Sequence, residues 1–108
     1  MKSKGPKGEV FGQYEHGFDI DTSKLMRRLK GRKTTLVRIE DLTVHWWPEC
    51  SKERLLQART QWPVIIDKNN TVINGAHRIL KLIIRRERFV EAIRATASDL
   101  RACYFKSE

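Results

Sequence analysis

The residues with the clearest chemistry in this chain form one short run, Asn74-Gly75-Ala76-His77-Arg78, between a predicted β-hairpin and an apolar helix. Gly75 permits a left-handed backbone or a close approach of a ligand to the main chain. The first N–H groups of a helix have no intrahelical partner, and the positive end of its dipole favours an anion. Because Arg78 adds a planar guanidinium that matches phosphate oxygens, the run predicts a phosphate-binding turn.

A hairpin and a helix must hold this turn. Residues 63–67 and 71–73 are mainly apolar and are separated by residues 68–70, with Asp67 as a turn residue, which predicts two strands joined by a short turn. A helix follows from near Ala76, and at about 100° per residue one of its faces is apolar. The residues of this expected core face are Ala76, Ile79, Leu80, Ile83 and Ile84. The alternative is that Gly75 is merely a turn residue and that His77 and Arg78 are surface residues at a helix start.

An adjacent face of the same helix is basic. Its residues are spaced by three and four and are Arg78, Lys81, Arg85 and Arg88. Because this basic stripe starts at the predicted phosphate turn, we expect a bound polyanion to follow it, with Lys81 and Arg85 as the outer contacts. The alternative is a solvated helix face whose charges happen to be positive.

Residues 64–105 resemble the ParB/sulfiredoxin superfamily, in which a hairpin leads to a Gly-x-His-Arg or Gly-Glu-Arg-Arg turn and then to a helix. A second motif matches in order, since residues 94–101 read Arg-Ala-Thr-Ala-Ser-Asp-Leu-Arg where sulfiredoxin has Ser-Thr-x-Ser-Asp-Leu-Arg. Residues 36–62 fit more loosely, as a strand over 35–42 and a helix over 51–60. The resemblance implies that the turn binds nucleotide phosphates. The residues it implies are Gly75, Ala76, His77 and Arg78, with Thr96 and Ser98 close by.

The chain departs from sulfiredoxin at the residue that acts as sulfiredoxin's catalytic nucleophile. Sulfiredoxin is a sulfinic acid reductase whose own cysteine acts as the nucleophile, and Ala76 occupies that position here. We predict Cys50 just before a helix and Cys103 inside the final helix, both away from the turn. We therefore do not expect sulfinic acid reductase activity, whereas the implied pocket for ATP or another nucleotide, with Mg²⁺ if one is bound, is unaffected.

Size and charge define the class of protein. A chain of 108 residues fits a single domain, and its 40% hydrophobic residues can form a core. A formal net charge of +9 favours polyanionic partners, namely nucleotides, DNA or RNA. The chain has two cysteines without metal-site or disulfide spacing, and it shows no signal peptide and no apolar run of membrane length. These features predict a cytoplasmic protein without a membrane partner or structural metal. A phage or plasmid accessory protein is our expectation of its context.

The positive charge is concentrated near the N-terminus. Residues 1–35 contain nine basic and four acidic residues. We predict a basic, partly disordered arm over residues 1–30, with a short helix capped near Asp21 and ending near Gly31, followed by the superfamily domain over residues 31–108. The arm is expected to contact nucleic acid phosphates, and the alternative is a solubilising tail. The predicted contacts at and after the end of the short helix are Arg27, Arg28, Lys30, Arg32 and Lys33.

Three other features support weaker interpretations. Trp46 and Trp47 are expected to pack over the core, with base stacking as the alternative. His16 and His45 have no spacing partners that would form a metal site with His77. No catalytic residues are identified from the sequence.

The sequence therefore predicts an α/β (α+β) fold, a single small domain with a mixed sheet flanked by helices. The predicted function is phosphate-mediated binding of a nucleotide, a nucleic acid or both. One alternative is an enzyme, either a nucleotide hydrolase or phosphotransferase or a ParB-like nuclease, which needs a base or a metal carboxylate near the turn. A further alternative is a protein-interaction module in which the pocket is vestigial and the partner is another protein.

Overall fold

We analysed a computed structural model of the chain, in which residues 10–15, 17–45 and 62–105 are described. These residues form seven strands and three α-helices. The strands are β1 (Val10–Glu15), β2 (Phe18–Asp21), β3 (Thr35–Arg38), β4 (Val64–Ile66), β5 (Val72–Asn74), β6 (Phe89–Arg94) and β7 (Tyr104–Phe105). The helices are α1 (Thr22–Leu29), α2 (Ala76–Ile84) and α3 (Ala97–Arg101). The predicted α+β class is confirmed.

The chain divides into two compact units. The first unit combines residues 1–32 with residues 95–108, and the second consists of residues 33–94. In the first unit, β2 pairs antiparallel with both β1 and β7. The chain between β1 and β2 passes through Gly17, and α1 follows β2 directly.

Helix α1 begins where the sequence predicts a cap. The Asp21 side chain accepts a hydrogen bond from the Lys24 backbone N–H at 3.0 Å, which satisfies one donor of the first turn. Leu25 and Leu29, four residues apart, are buried on one face of the helix. The short helix predicted in this part of the chain is thus present.

The second unit contains a four-stranded mixed sheet in the order β3-β6-β4-β5. β6 pairs antiparallel with β3 and parallel with β4, and β4 forms an antiparallel hairpin with β5. A buried apolar cluster joins this sheet to α2. Its members are Val64, Ile66, Val72, Ile79, Leu82, Val90 and Ala92. The predicted hairpin and the helix beginning at Ala76 are confirmed.

Several predicted details are wrong. The strand predicted over residues 35–42 ends at Arg38, because the chain turns into a short 3₁₀ helix at Ile39–Asp41. Cys103 follows α3 instead of lying within a helix, and its side chain is buried. The predicted helix over 51–60, with Cys50, Trp46 and Trp47, lies outside the described residues.

The predicted apolar face of α2 is correct for Ile79 and wrong for Ile83 and Ile84. Ile79 and Leu82 are buried, whereas Ile83 and Ile84 are 43% and 60% exposed. A core centred between Ile79 and Leu82 puts Ile84 about 170° away around the helix, on the solvent side.

Among the described residues, no helix is long and apolar enough to cross a membrane.

Candidate phosphate-binding turn

Gly75 connects β5 to α2 in a conformation that only glycine adopts readily. Its φ of +112° lies in the left-handed half of backbone space. A Cβ atom at this position would lie 2.5 Å from Val64 Cγ1 and 2.8 Å from Val64 Cβ. The absent side chain therefore allows the start of α2 to lie directly against β4, within the core of the second unit.

The N-terminus of α2 has no side-chain cap. The first intrahelical hydrogen bond runs from Ile79 N–H to Gly75 O at 3.0 Å, so the N–H groups of Ala76, His77 and Arg78 precede it. Gly75 offers no side chain as an acceptor, and the first turn contains no acidic residue. The positive end of the helix dipole is therefore not neutralised by α2 itself.

His77 adds a polar atom to this turn. Its Nε2 is buried and has no hydrogen-bond partner among the described residues, although the side chain as a whole is only half-buried. A buried ring nitrogen without a partner costs roughly 1–3 kcal/mol. A ligand oxygen that accepts from this nitrogen would remove that cost.

The hairpin orients Arg78. Its guanidinium donates a hydrogen bond to the Pro63 carbonyl through Nη1 and another, at 2.8 Å, to Asn74 Oδ1 through Nη2. Asn74, the last residue of β5, is buried and lies four residues before Arg78 in the chain. These contacts fix a positive charge where β4 begins and the hairpin ends.

The opposite end of the hairpin is held by Asp67, as predicted for a turn residue. Its Oδ1 accepts from the backbone N–H groups of Asn69 at 2.8 Å and Thr71 at 2.9 Å. Its carbonyl accepts from Arg94 Nη1 at 2.7 Å, which ties the hairpin turn to the end of β6. The strands that support the candidate turn are thus fixed at both ends.

The predicted basic stripe is shorter than expected. Helix α2 ends at Ile84, so Arg88 lies beyond it and is not on a helix face, which corrects our prediction. Lys81 is half-buried within α2, and Arg85, the C-cap residue, is exposed. Arg78, Lys81 and Arg85 therefore share one face of α2, while Arg88 belongs to the connection to β6.

Thr96 and Ser98 lie in the first unit, at the start of α3, whereas the turn lies in the second. Thr96 Oγ1 accepts from the Asp99 N–H at 3.1 Å, and the Thr96 backbone N–H donates to Asp99 Oδ2 at 3.0 Å, forming a capping box. Ser98 is exposed. Their predicted proximity to the turn stays a prediction.

Asp99 also organises two of the predicted nucleic-acid contacts. Its side chain is 3% exposed and accepts from Arg28 Nε at 2.9 Å and from both terminal nitrogens of Arg32. Hydrogen bonds from Arg32 above all, then from Thr96 and Arg28, lower the pKa of Asp99 well below its ordinary value despite its burial. Arg28 in α1 and Arg32 just after α1 are thus connected to α3 through Asp99, and Arg27, Lys30 and Lys33 are exposed.

Two residues of this region carry roles that the sequence analysis missed. Asn74 orients Arg78, and the signal for it is the spacing of four residues between an amide and a guanidinium across a strand-to-helix junction. Asp99 links Thr96 to Arg28 and Arg32, and the signal for its capping role is Thr-x-x-Asp at the start of a helix. Its partners, Arg28 in α1 and Arg32 just after α1, are 71 and 67 residues away, so no local pattern reveals them.

Comparison with known proteins gives one similar fold. No family model and no curated protein matches the chain. A solved Pnob8-like ParB-N domain, in its C2221 form, is similar at 19% identity and a TM-score of 0.44. The match covers 59% of this chain and 29% of that chain, so this chain corresponds to less than a third of the solved one.

Proposed function

We propose that the chain binds phosphate groups of a nucleotide or a nucleic acid at the N-terminus of α2. Backbone N–H groups of Ala76 and His77 and the side chains of His77 and Arg78 are the proposed contacts. The observation that carries the proposal is the buried Nε2 of His77, which has no described partner and lies beside an uncapped helix N-terminus. Such a combination of donors suits an anion with several oxygens.

The electrostatics of the second unit support an anionic ligand. The first turn of α2 carries no acidic residue, and the basic side chains of Arg78, Lys81 and Arg85 share one helix face. Among the described residues, no group of three or more His, Cys, Asp or Glu side chains could hold a metal ion. Mg²⁺ would therefore accompany a bound nucleotide through its phosphates. We retain the cytoplasm as the proposed location.

The test is a titration of isotope-labelled protein with ATP, CTP and a short DNA duplex, followed through the amide signals of residues 75–78. We expect these signals to shift first. Ala76→Glu should weaken binding at least tenfold, because a carboxylate at the first helical position repels phosphate while remaining compatible with the helix dipole. Ala102→Glu is the matched control, because Ala102 is exposed and this substitution adds the same charge at the end of α3.

The result that would refute the proposal is equal binding by wild type, Ala76→Glu and His77→Ala. Release of inorganic phosphate or cutting of the DNA during the titration would add an enzymatic step to the binding function. A chain that binds neither nucleotide nor DNA, yet retains a protein partner after His77 and Arg78 are both replaced by Ala, would instead be an interaction module.

A further inference from the structure

The connection from α2 to β6 has an unusual residue at its centre. After α2 the Arg86 N–H donates to Ile83 O at 2.9 Å, and the Glu87 N–H donates to Leu82 O at 2.9 Å. These two bonds form a Schellman motif, in which the residue after the C-cap adopts a left-handed conformation and is usually glycine. Here that residue is Arg86, with φ +65°.

An arginine at this position is conformationally unfavourable. The left-handed conformation brings Cβ close to a carbonyl oxygen, a penalty that glycine does not have. The side chain of Arg86 does not offset it within the described structure, because the residue is exposed and forms neither an ion pair nor a side-chain hydrogen bond with a described residue. Strained residues of this kind are frequently retained for a functional reason.

The surroundings of Arg86 indicate the chemistry of a ligand. Arg85 and Arg88 are exposed on either side of it in the chain, with Glu87 as the single acidic residue between them. Arginine binds phosphate oxygens through a planar set of donors, which makes a cluster of arginines a better match for phosphates than for isolated carboxylates. The three arginines define an exposed basic turn, here called the arginine turn.

We propose that Arg86, with Arg88, contacts a second phosphate of the ligand bound at the start of α2, and that this ligand is a nucleic acid. Ala76 and Arg86 are separated by ten residues, or about 15 Å along the helix axis. The phosphates of one mononucleotide form a single group, whereas those of a DNA strand recur about every 3.4 Å along the duplex axis. A polymer can therefore reach both ends of α2. The assignment of a nucleic acid rests on the proposed phosphate site at the start of α2. The arginine turn itself does not depend on that site.

The test compares the salt dependence of DNA binding in Arg86→Gly and wild type by fluorescence anisotropy, between about 50 and 200 mM salt, on a duplex of about 12 base pairs and on one of its strands. Loss of one phosphate contact should lower the slope of log K against log salt by about 0.9, which is about eightfold in affinity at 0.1 M salt. The melting temperature should stay equal or rise by up to about 4 °C, because glycine adopts the left-handed conformation without strain.

Two further variants make the result specific. Lys68→Gly removes one positive charge from another exposed turn of the same unit and should leave the slope near that of wild type. Arg86→Asn also removes the charge and tolerates the left-handed backbone, so it replaces Arg86→Gly if the glycine variant folds poorly. An Arg86→Gly slope equal to that of Lys68→Gly would refute the contact.

The remaining outcomes separate the two proposals. ATP affinity that is unchanged in Arg86→Gly supports a second contact used only by a polymer, whereas an equal loss for ATP and DNA would refute the nucleic acid assignment. Competition by polyglutamate as strong as that by DNA would also refute it, in favour of an acidic protein. If Ala76→Glu leaves DNA binding intact while Arg86→Gly weakens it, the arginine turn stands and the phosphate site at the start of α2 fails.

Discussion

Replacement of Gly75 by alanine tests the geometry on which the candidate site depends. The new Cβ would meet Val64 Cγ1 at 2.5 Å, Val64 Cβ at 2.8 Å and Val64 Cα at 3.3 Å, and the φ of +112° would have to be kept. Left-handed backbone costs a non-glycine residue about 1–2 kcal/mol, and overpacking a core costs about 1–3 kcal/mol. We therefore expect Gly75→Ala to lower the free energy of unfolding by about 2–5 kcal/mol.

This loss is a large part of the stability of a small protein, which is typically about 5–15 kcal/mol. At about 4 °C per kcal/mol for a domain of this size, the melting temperature should fall by roughly 8–20 °C. Urea unfolding followed by circular dichroism measures the free energy directly, and the phosphate titration can be repeated below the lowered melting temperature.

A second glycine separates the two causes. Gly31 also has a positive φ, +84°, but a Cβ added there has nothing within 4 Å. Gly31→Ala should therefore show the conformational penalty alone, about 1–2 kcal/mol. If Gly75→Ala costs no more than Gly31→Ala, then α2 does not lie against Val64 as described, and the argument that this glycine brings the helix N-terminus to the strand is wrong.

Three further predictions concern residues outside the turn. Asp99→Asn should destabilise the first unit by about 1–2 kcal/mol at pH 7. Because the folded-state pKa of Asp99 is depressed, its stabilisation is fully present above the ordinary aspartate pKa of about 3.9 and is lost progressively as pH falls from there through the much lower folded-state pKa, so urea unfolding should show a smaller difference between the two proteins at about pH 3 than at pH 7. Cys103, whose burial raises the thiol pKa, should react with iodoacetamide only after unfolding, as measured by peptide mass spectrometry, and modification under native conditions would contradict its burial. Leu82→Ala should cost about 2–4 kcal/mol in urea unfolding and Ile84→Lys less than about 0.5 kcal/mol, and equal losses would restore the apolar face predicted from periodicity.

The parts of the second unit that were predictable are those with strong local signals. Apolar runs flanking Asp67 specify the hairpin, and Gly75 followed by an apolar periodic segment specifies the start of α2. The core face of α2 was not predictable in the same way, because its apolar residues cover more than half of the helix circumference. Contact with Val64 and Ile66 on β4 selects Ile79 and Leu82 from that set.

The first unit was less predictable because its pairings are not local. β2 pairs with β7 through Asp19 and Phe105, which are far apart in the chain. Residues 18–21 alternate between apolar and polar side chains but form a run of only four residues, and residues 10–15 show no regular alternation. Composition alone therefore predicts this segment as part of a basic arm. The ion pairs of Asp99 with Arg28 and Arg32 similarly join residues that only the tertiary fold brings together.

The division of the chain between its two units has a consequence for the order of events during synthesis. All strands of the second unit lie between residues 35 and 94, so its sheet can form once that stretch has left the ribosome. β2 can pair with β1 early, but its second neighbour forms only when Tyr104 and Phe105 emerge, and Asp99 must emerge before Arg28 and Arg32 gain their partner. The N-terminal segment is thus made first and completed last. A nascent chain that has emerged only as far as about residue 95 should carry a folded second unit and a β2 that lacks its β7 neighbour, which exposes a strand edge and the apolar face of α1 to chaperones.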